Sequence, residues 1–308
     1  MGTISYDSQD EPALYSRRRI LRLSGLMVGL GGMAVLPGCG PAAPDARVGM
    51  APTGSDSAGS AGVLGDGITL RVGMEAAYAP FNWQTTESSE FTIPIENASG
   101  AYADGYDVQV AKVIAEALDM EPVAVKLDFS GLIDALNNGQ VDIVCAGMSA
   151  TPEREQSADF SDSYLDDNIV LIVRDDSPYV GATTFADLEG AYILGQVSTL
   201  YDDVIDQIPG CVHMTPADTL PLVVENLASG SCDAITYSEL SVPKLIDMYP
   251  NFVELQLTDQ FDGSPMPANA AIAKGQEDIL DRINDAIASI SDDERQELWT
   301  ACTDRQPA

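Results

Sequence analysis

Alternating and striped apolar residues predict regular structure along most of the chain. Residues 68–74 alternate apolar with polar or small side chains, which is typical of a half-buried β-strand. Apolar residues at helical spacing follow Asp107 as far as Leu118, so Asp107 is the expected N-cap of a helix. Further predicted strands are Val123–Leu127, Val141–Cys145, Tyr192–Gly195, Val212–Thr215 and Asp233–Thr236, and further helices begin at Ser130, Thr199 and Ala217. Strands that alternate with helices indicate an α/β fold with a mostly parallel sheet.

The two halves of the chain share a short motif at a helix-to-strand turn. L-x-x-G-x-x-D occurs at residues 136–142 and again at residues 227–233. Between the halves, Ile169–Arg174 and Ala268–Ala273 are extended apolar segments that we expect to cross from one lobe to the other. A chain that crosses twice forms a hinge, and the cleft between two lobes is a natural ligand site. We predict a first lobe of residues 67–170 and 270–308 and a second lobe of residues 171–269.

The N-terminus has the layout of an export signal. A cluster of arginines precedes the apolar run Leu23–Leu36, which is too short and too rich in glycine for a membrane-spanning helix. The arginines resemble a twin-arginine export motif, and Leu36–Cys39 resembles a lipobox, in which Cys39 is acylated and becomes the mature N-terminus. We therefore predict a signal peptide over residues 1–38 and a flexible tether over residues 39–66, held at the cell membrane by lipid on Cys39.

Composition narrows the partners and the chemistry. The chain carries a formal net charge of −33, which repels nucleic acid and anionic lipid headgroups, so neither is an expected partner. The sequence has no GxGxxG, P-loop, HExxH or calcium-loop pattern, and no cofactor or metal is expected. Cys145 lies in an apolar segment and is an expected core residue. A disulfide among Cys211, Cys232 and Cys302 is left open.

Polar groups suited to a small zwitterion follow the predicted strand Val141–Cys145. Ser149 and Arg154 are expected at its C-terminal end, where open α/β sheets bind ligands. An arginine guanidinium matches a carboxylate through two parallel hydrogen bonds, although an ion pair with a neighbouring glutamate is the alternative for Arg154. Ser198 and Thr199 occupy the corresponding strand-to-helix position in the second half, where free backbone N–H groups favour an anion.

Several short motifs occur in order along the chain. They are Leu70–Phe81, Gly105–Asp107, Gly131–Ile133, Ala146–Arg154 and Asp159–Ser161. Together they resemble the polar amino-acid-binding proteins of ABC importers, extracellular solute-binding family 3, and the similarity runs from about Ile68 to Trp299. The resemblance implies a periplasmic-binding-protein-like fold of type II, in which a two-strand hinge joins two α/β lobes around a ligand cleft.

The resemblance also implies roles for individual residues in that cleft. Arg154 clamps the α-carboxylate of the ligand, helped by the backbone amide of Ser149 and by amides near Thr199. The Ser149 hydroxyl and the Gly147 carbonyl take the α-amino group. These roles describe one site that grips both charges of an amino acid.

The ligand side chain is implied to lie between Tyr78 and Phe129. Glu75 matches the acidic position that family members for basic amino acids use on the ligand cation, which favours Arg, Lys or His. The chain departs from the family at Ser238, where a second-lobe acid is expected to hold the α-amino group. Either the neighbouring Glu239 replaces that acid, or the amine is held differently.

Residues 84–104 form an insertion that either lines or covers the cleft or is a surface loop. On balance the sequence predicts a monomeric binding protein that is not an enzyme. Its expected partners are a small amino acid, the permease subunits of an ABC importer and, through the lipid, the membrane. The alternatives are a dehydratase-like enzyme of the prephenate or arogenate type, with Glu75 or Glu239 as the acid, and a membrane-tethered sensor.

Overall fold

A strand with alternating buried side chains lies within the first sheet. The computed structural model describes residues 64–307. Strand β1 (Thr69–Met74) buries Leu70 and Val72 completely, as its alternating pattern predicts. The other strands are β2 Ala77–Tyr78, β3 Asn82–Thr85, β4 Ile93–Pro94, β5 Tyr102–Asp104, β6 Glu121–Lys126, β7 Ile143–Val144, β8 Ala158–Asp167, β9 Ile169–Arg174, β10 Tyr192–Leu194, β11 Val212–His213, β12 Ala234–Ser238, β13 Phe252–Glu254 and β14 Met266–Ala273. The α-helices are α1 Tyr106–Leu118, α2 Leu132–Asn137, α3 Leu200–Asp203, α4 Leu220–Ser229, α5 Val242–Met248, α6 Glu277–Ala288 and α7 Asp292–Arg305.

Two five-stranded sheets form the centres of two lobes. The first sheet has the order β6-β1-β7-β14-β8, with β1 parallel to both of its neighbours. The second has the order β11-β10-β12-β9-β13, with β10 parallel to both of its neighbours. The remaining strand pairs are antiparallel. They are β7–β14 and β14–β8 in the first sheet, and β12–β9 and β9–β13 in the second. The alternation of strands and helices that the sequence predicts is confirmed in both lobes.

The chain passes from one lobe to the other twice, next to the paired strands β8 and β14. It leaves the first sheet at the end of β8, enters the second at Ile169, and returns between β13 and β14. Strands β8 and β14 pair antiparallel as far as Asp167 and Met266, so the two crossings lie side by side. The predicted crossing segments Ile169–Arg174 and Ala268–Ala273 were wrong in detail, because both are strands inside the sheets. The polar side chains of β8 gave no alternating pattern from which that strand could be predicted.

The inserted segment 84–104 packs onto the first lobe. Its short strands join β2 in an antiparallel sheet of order β2-β3-β5-β4. Arg305 of α7 forms an ion pair with Asp104 at 3.0 Å and stacks its guanidinium 4.0 Å from the centre of the Phe91 ring. Gln109 of α1 donates to the Phe91 carbonyl. The insertion is therefore fastened to α1 and α7.

The N-terminal boundary of the folded part lies before the predicted one. Leu64 is 3% exposed, Gly67 donates to its carbonyl, and Asp66 accepts from the backbone of Ile68 and Thr69. The end of the predicted tether 39–66 is thus packed on the first lobe. The signal peptide 1–38, Cys39 and the rest of the tether lie outside the described residues.

Between Leu64 and Pro307, none of the helices has the length and apolar character needed to cross a bilayer.

The cysteines of the same part of the chain, Cys145, Cys211, Cys232 and Cys302, are all free, so the disulfide left open by the sequence is not formed. Cys145 is buried in the core, as predicted.

Candidate functional site

A small cavity with about 20 Å³ of free space lies between the two lobes, at the ends of their sheets. Its lining residues are Glu75, Tyr78, Phe129, Gly147, Ser149 and Arg154 from the first lobe, Gln196, Thr199, Leu200 and Tyr201 from the second, and Met266 from the start of β14. Most of the residues that the sequence singles out therefore meet at one place. The sides that face each other carry complementary groups, and the free space left between the closed lobes is about that of one water molecule.

The turn after β1 places an acidic side chain in the cavity. Glu75 is only 5% exposed, and the next residue, Ala76, has a left-handed backbone with φ of 52°. Asn82 holds this turn by accepting from the Ala76 N–H at 2.7 Å. Across the cleft, the Gln196 amide donates to both Glu75 carboxylate oxygens at 3.1 and 3.2 Å. Burial raises the pKa of Glu75, and the Gln196 hydrogen bond opposes that shift.

Asp107 is a buried carboxylate that holds together loops near the cavity through hydrogen bonds. It was predicted to cap α1, but Gly105 is the N-cap and Asp107 lies in the first turn, fully buried. The sequence could not show its partners, which are Tyr164 O–H at 2.6 Å, the Asn82 amide at 2.7 Å and Gly147 N–H at 3.2 Å. Burial raises the pKa of Asp107 to about 6 against the effect of these hydrogen bonds. Asp107 thus joins the loop after β1 to the loop after β7.

Replacing Asp107 with asparagine is expected to lower the free energy of unfolding by about 1–3 kcal/mol. The new amide would face the Asn82 amide, which cannot turn over because its oxygen already holds the Ala76 N–H. Chemical denaturation measures the effect, and Glu116→Gln, an exposed change on the same helix, is the matched control. Equal stability of the two variants would contradict this role for Asp107.

Gly147 brings the loop after β7 close to an aromatic wall. Its φ is +58°, and a Cβ atom there would lie 2.9 Å from Cε1 of Tyr78. The Tyr78 ring in turn stacks on Phe81, with ring centres 4.4 Å apart. A side chain at position 147 would therefore push Tyr78 out of the cavity wall.

Arg154 presents a guanidinium that has no carboxylate partner among residues 64–307. It donates to the carbonyls of Ser149 at 2.8 Å and Ser198 at 2.9 Å, and it lies 5.5 Å from the centre of the Phe129 ring. Burial lowers the pKa of Arg154. The alternative ion pair with a neighbouring glutamate is not formed. The charge is thus held in place by neutral groups.

Ser149 adds an unused hydroxyl beside that guanidinium. The residue is 3% exposed, and its Oγ is the one buried side-chain polar atom without a hydrogen-bond partner in the described part of the chain. Buried hydroxyls are almost always paired in native structures. Here the free hydroxyl lines the cavity, so a ligand is a suitable partner for it.

The second lobe closes over the cavity with the start of α3. Ser198 has a left-handed backbone with φ of 62°, which points its carbonyl at Arg154. Thr199, the N-cap of α3 as expected, is buried and donates its hydroxyl to the Gln196 carbonyl at 2.6 Å. The Tyr201 hydroxyl meets the Tyr78 hydroxyl at 2.8 Å. Side chains of the two lobes are thus in direct contact across the cleft.

Ser238 and Glu239 do not reach the cavity wall. Ser238 is fully buried at the end of β12 and donates its hydroxyl to Asp167. Glu239 is exposed, accepts from the Asn168 amide at 2.6 Å and lines a separate groove of about 330 Å³. Residue 239 follows the end of β12, and its exposed side chain is not part of the cavity lining.

A family comparison identifies this arrangement. Residues 70–300 match the model of the bacterial extracellular solute-binding proteins, family 3. The chain belongs to this family. Family 3 proteins are extracytoplasmic binding proteins, and the sequence motifs from Leu70 onward pointed to the same family.

Individual family 3 relatives cover most of the chain. A probable histidine-binding protein of Campylobacter jejuni is 29% identical over 221 residues, 71% of this chain and 78% of the relative. A solved substrate-binding protein of an amino acid ABC transporter is 28% identical with a TM-score of 0.64, covering 77% of this chain and 100% of that one. An ancestral arginine-binding protein, solved with arginine, is 26% identical with a TM-score of 0.62, covering 76% and 97%. The predicted fold class, with two α/β lobes, a two-strand hinge and a cleft, is confirmed.

Several residues at the family 3 cleft were not predicted. Gln196 and Tyr201 flank the predicted pair Ser198 and Thr199, so their position in sequence was a usable signal. Met266 enters the cavity from the hinge strand β14, and no local pattern marked it. Its role follows only from the pairing of β14 with β8.

Proposed function

We propose that this protein binds an amino acid by closing its lobes and delivers it to the permease of an ABC importer. The observation that carries the proposal is the pair of uncommitted groups in the cavity, the Arg154 guanidinium without a carboxylate and the Ser149 hydroxyl without a partner. Arg154 clamps the ligand α-carboxylate through two parallel hydrogen bonds, with the backbone amides of Ser149 and near Thr199 beside it. The Ser149 hydroxyl and the Gly147 carbonyl take hydrogen bonds from the α-amino group.

The ligand side chain is proposed to extend between Tyr78 and Phe129 toward Glu75. Aromatic faces and a buried carboxylate together favour a planar cation or a hydrogen-bond donor. Relatives support this ligand class by their names, since they include histidine-binding and arginine-binding proteins. The ancestral relative has been solved with arginine and with glutamine. Arginine, lysine and histidine are therefore ranked above glutamine, and glutamine above glutamate.

A screen of the twenty amino acids tests the proposal. The chain from residue 40 onward is heated with each amino acid, and a ligand that binds only the folded state raises the melting temperature by mass action. Calorimetry then measures affinity for each amino acid that gives a shift. Absence of binding to all of them would contradict the proposal. Turnover of prephenate or arogenate in the same preparation would favour the dehydratase-like enzyme instead.

We also propose that lipid on Cys39 is the membrane attachment. The lipobox-like Leu36–Cys39 and the twin-arginine-like segment before it support export followed by acylation. Two or more acyl chains on Cys39 give stable anchoring. The sensor alternative keeps the anchor but lacks a permease, and co-purification with permease subunits separates the two.

Cys39→Ser is expected to release the protein from the membrane fraction into the soluble extracytoplasmic fraction. Loss of the acyl chains removes the hydrophobic attachment, while the folded part that begins by Leu64 is unchanged. Cell fractionation with immunoblotting measures the distribution, and Cys211→Ser is the control for loss of a thiol. Retention of processed Cys39→Ser protein in the membrane would point to another anchor.

A further inference from the structure

A buried carboxylate without a cation lies where the two lobes join. Asp167, the last residue of β8, is 4% exposed and forms no ion pair with any residue from Leu64 to Pro307. Its oxygens accept from the Ser238 hydroxyl, from Leu240 N–H at 3.1 Å and from Asn168 N–H at 2.7 Å. These neutral donors hold the carboxylate in one orientation but leave its charge unmatched. A buried ion without an opposite charge is unfavourable, so a reason for keeping it is needed.

Asp167 lies next to the cavity. Its partner across the hinge strands is Met266, which lines the cavity. The Tyr78 and Tyr201 hydroxyls meet across the cleft at 2.8 Å. Burial is the main cause of the raised pKa of each tyrosine, and the negative charge of Asp167 adds to it. Asp167 is thus next to a residue of the cavity wall, on the hinge side, but is not itself part of that wall.

Other acids near the cleft have different positions. Glu75 follows β1, accepts from Gln196 across the cleft, and is assigned to the ligand side chain. Asp107 is enclosed by its own donors in the core of the first lobe. Glu239 faces solvent. Asp167 is the buried acid on the hinge side, and it reaches the end of β12 through Ser238.

We propose that Asp167 is the counter-ion for the α-ammonium group of the bound ligand. The proposal rests on the proposed function, because it assumes an amino acid held at its carboxylate by Arg154. Ser238 at the end of β12 carries no charge, and the hinge strand supplies the carboxylate to the same spot through the Asp167–Ser238 hydrogen bond. A ligand that separates the Tyr78 and Tyr201 hydroxyls brings its ammonium to Asp167, while the Ser149 hydroxyl and the Gly147 carbonyl complete the hydrogen bonds.

The test compares amino acids with their desamino analogues. L-arginine, L-histidine and L-glutamine, each beside the same acid lacking the α-amino group, are titrated calorimetrically into the parent and into Asp167→Asn. Loss of one partner of a buried charge pair is expected to weaken amino acid binding by about 30-fold or more, and binding of the desamino analogues is expected to stay unchanged. Asp166→Asn is the matched control, since its exposed carboxylate is on the same strand. It is expected to bind as the parent does.

A charge exchange keeps the test decisive if Asp167→Asn folds poorly. The double variant Asp167→Ser with Ser238→Asp retains the hydrogen-bonded pair but moves the carboxylate from β8 to β12. It is expected to recover both affinity and discrimination against the desamino analogues. Equal discrimination by the parent and Asp167→Asn, or a folded double variant that does not bind, would overturn the role of Asp167. If the parent binds none of the amino acids, the proposed function itself fails.

Discussion

Arg154→Ala is expected to weaken binding of the amino acid ligand by about 30-fold to several thousand-fold and to leave the fold intact. The size of the effect follows from burial, because the ligand carboxylate would be left in the closed cleft without an opposite charge. The fold is expected to survive because the Arg154 side chain donates only to the carbonyls of Ser149 and Ser198 and forms no ion pair in the described residues. Calorimetry with each amino acid that binds the parent measures the change.

Two further variants separate charge from geometry at this position. Arg154→Lys keeps the positive charge but loses the planar fork, so its affinity is expected to fall between those of the parent and Arg154→Ala. Arg282→Ala removes an exposed arginine of α6 and is expected to bind as the parent does. Binding by Arg154→Ala within a few-fold of the parent would place the carboxylate elsewhere in the cleft.

The first-lobe side of the site could be predicted from the sequence because it follows local rules. Loops after the parallel strands β1 and β7 come out at the same edge of the sheet, so Glu75 and Ser149 meet there. The strands themselves are apolar or alternating, which made them visible. The short strands of the insertion and the polar strand β8 have no such pattern, and neither was predicted.

The partners of the second-lobe residues depend on tertiary contacts that no local pattern contains. The contacts of Gln196 and Tyr201 with the first lobe exist only because the lobes close on each other. Asp107 has the sequence position of a helix cap, yet it is a buried carboxylate that accepts hydrogen bonds from distant parts of the chain. The hydrogen bond between Asp167 and Ser238 joins residues 71 positions apart. The family resemblance implied only that the expected acid is missing at position 238.

Glu75 provides the second large expected effect, which concerns the class of ligand. Its carboxylate is buried, and the groups that meet it in the structure are the neutral amide of Gln196 and the aromatic wall of Tyr78. An amide can stay beside the carboxylate or give way to a cation, which compensates the buried charge better. Arg71 does not neutralise Glu75, because Arg71 pairs with Asp142 at 2.6 Å.

Glu75→Gln is therefore expected to lower affinity for L-arginine, L-lysine and L-histidine by about 30-fold or more, and to change affinity for L-glutamine little. The substitution keeps the shape of the side chain and removes only its charge, so the stacking between Tyr78 and Phe129, worth about 0.5–2 kcal/mol for a cation, remains. Competitive calorimetry with the parent and Glu75→Gln measures the selectivity, and Glu153→Gln, an exposed change, is the matched control. A parent that prefers L-glutamate, or a variant with unchanged selectivity, would contradict the assignment, since a desolvated carboxylate at Glu75 repels an acidic side chain and attracts a basic one.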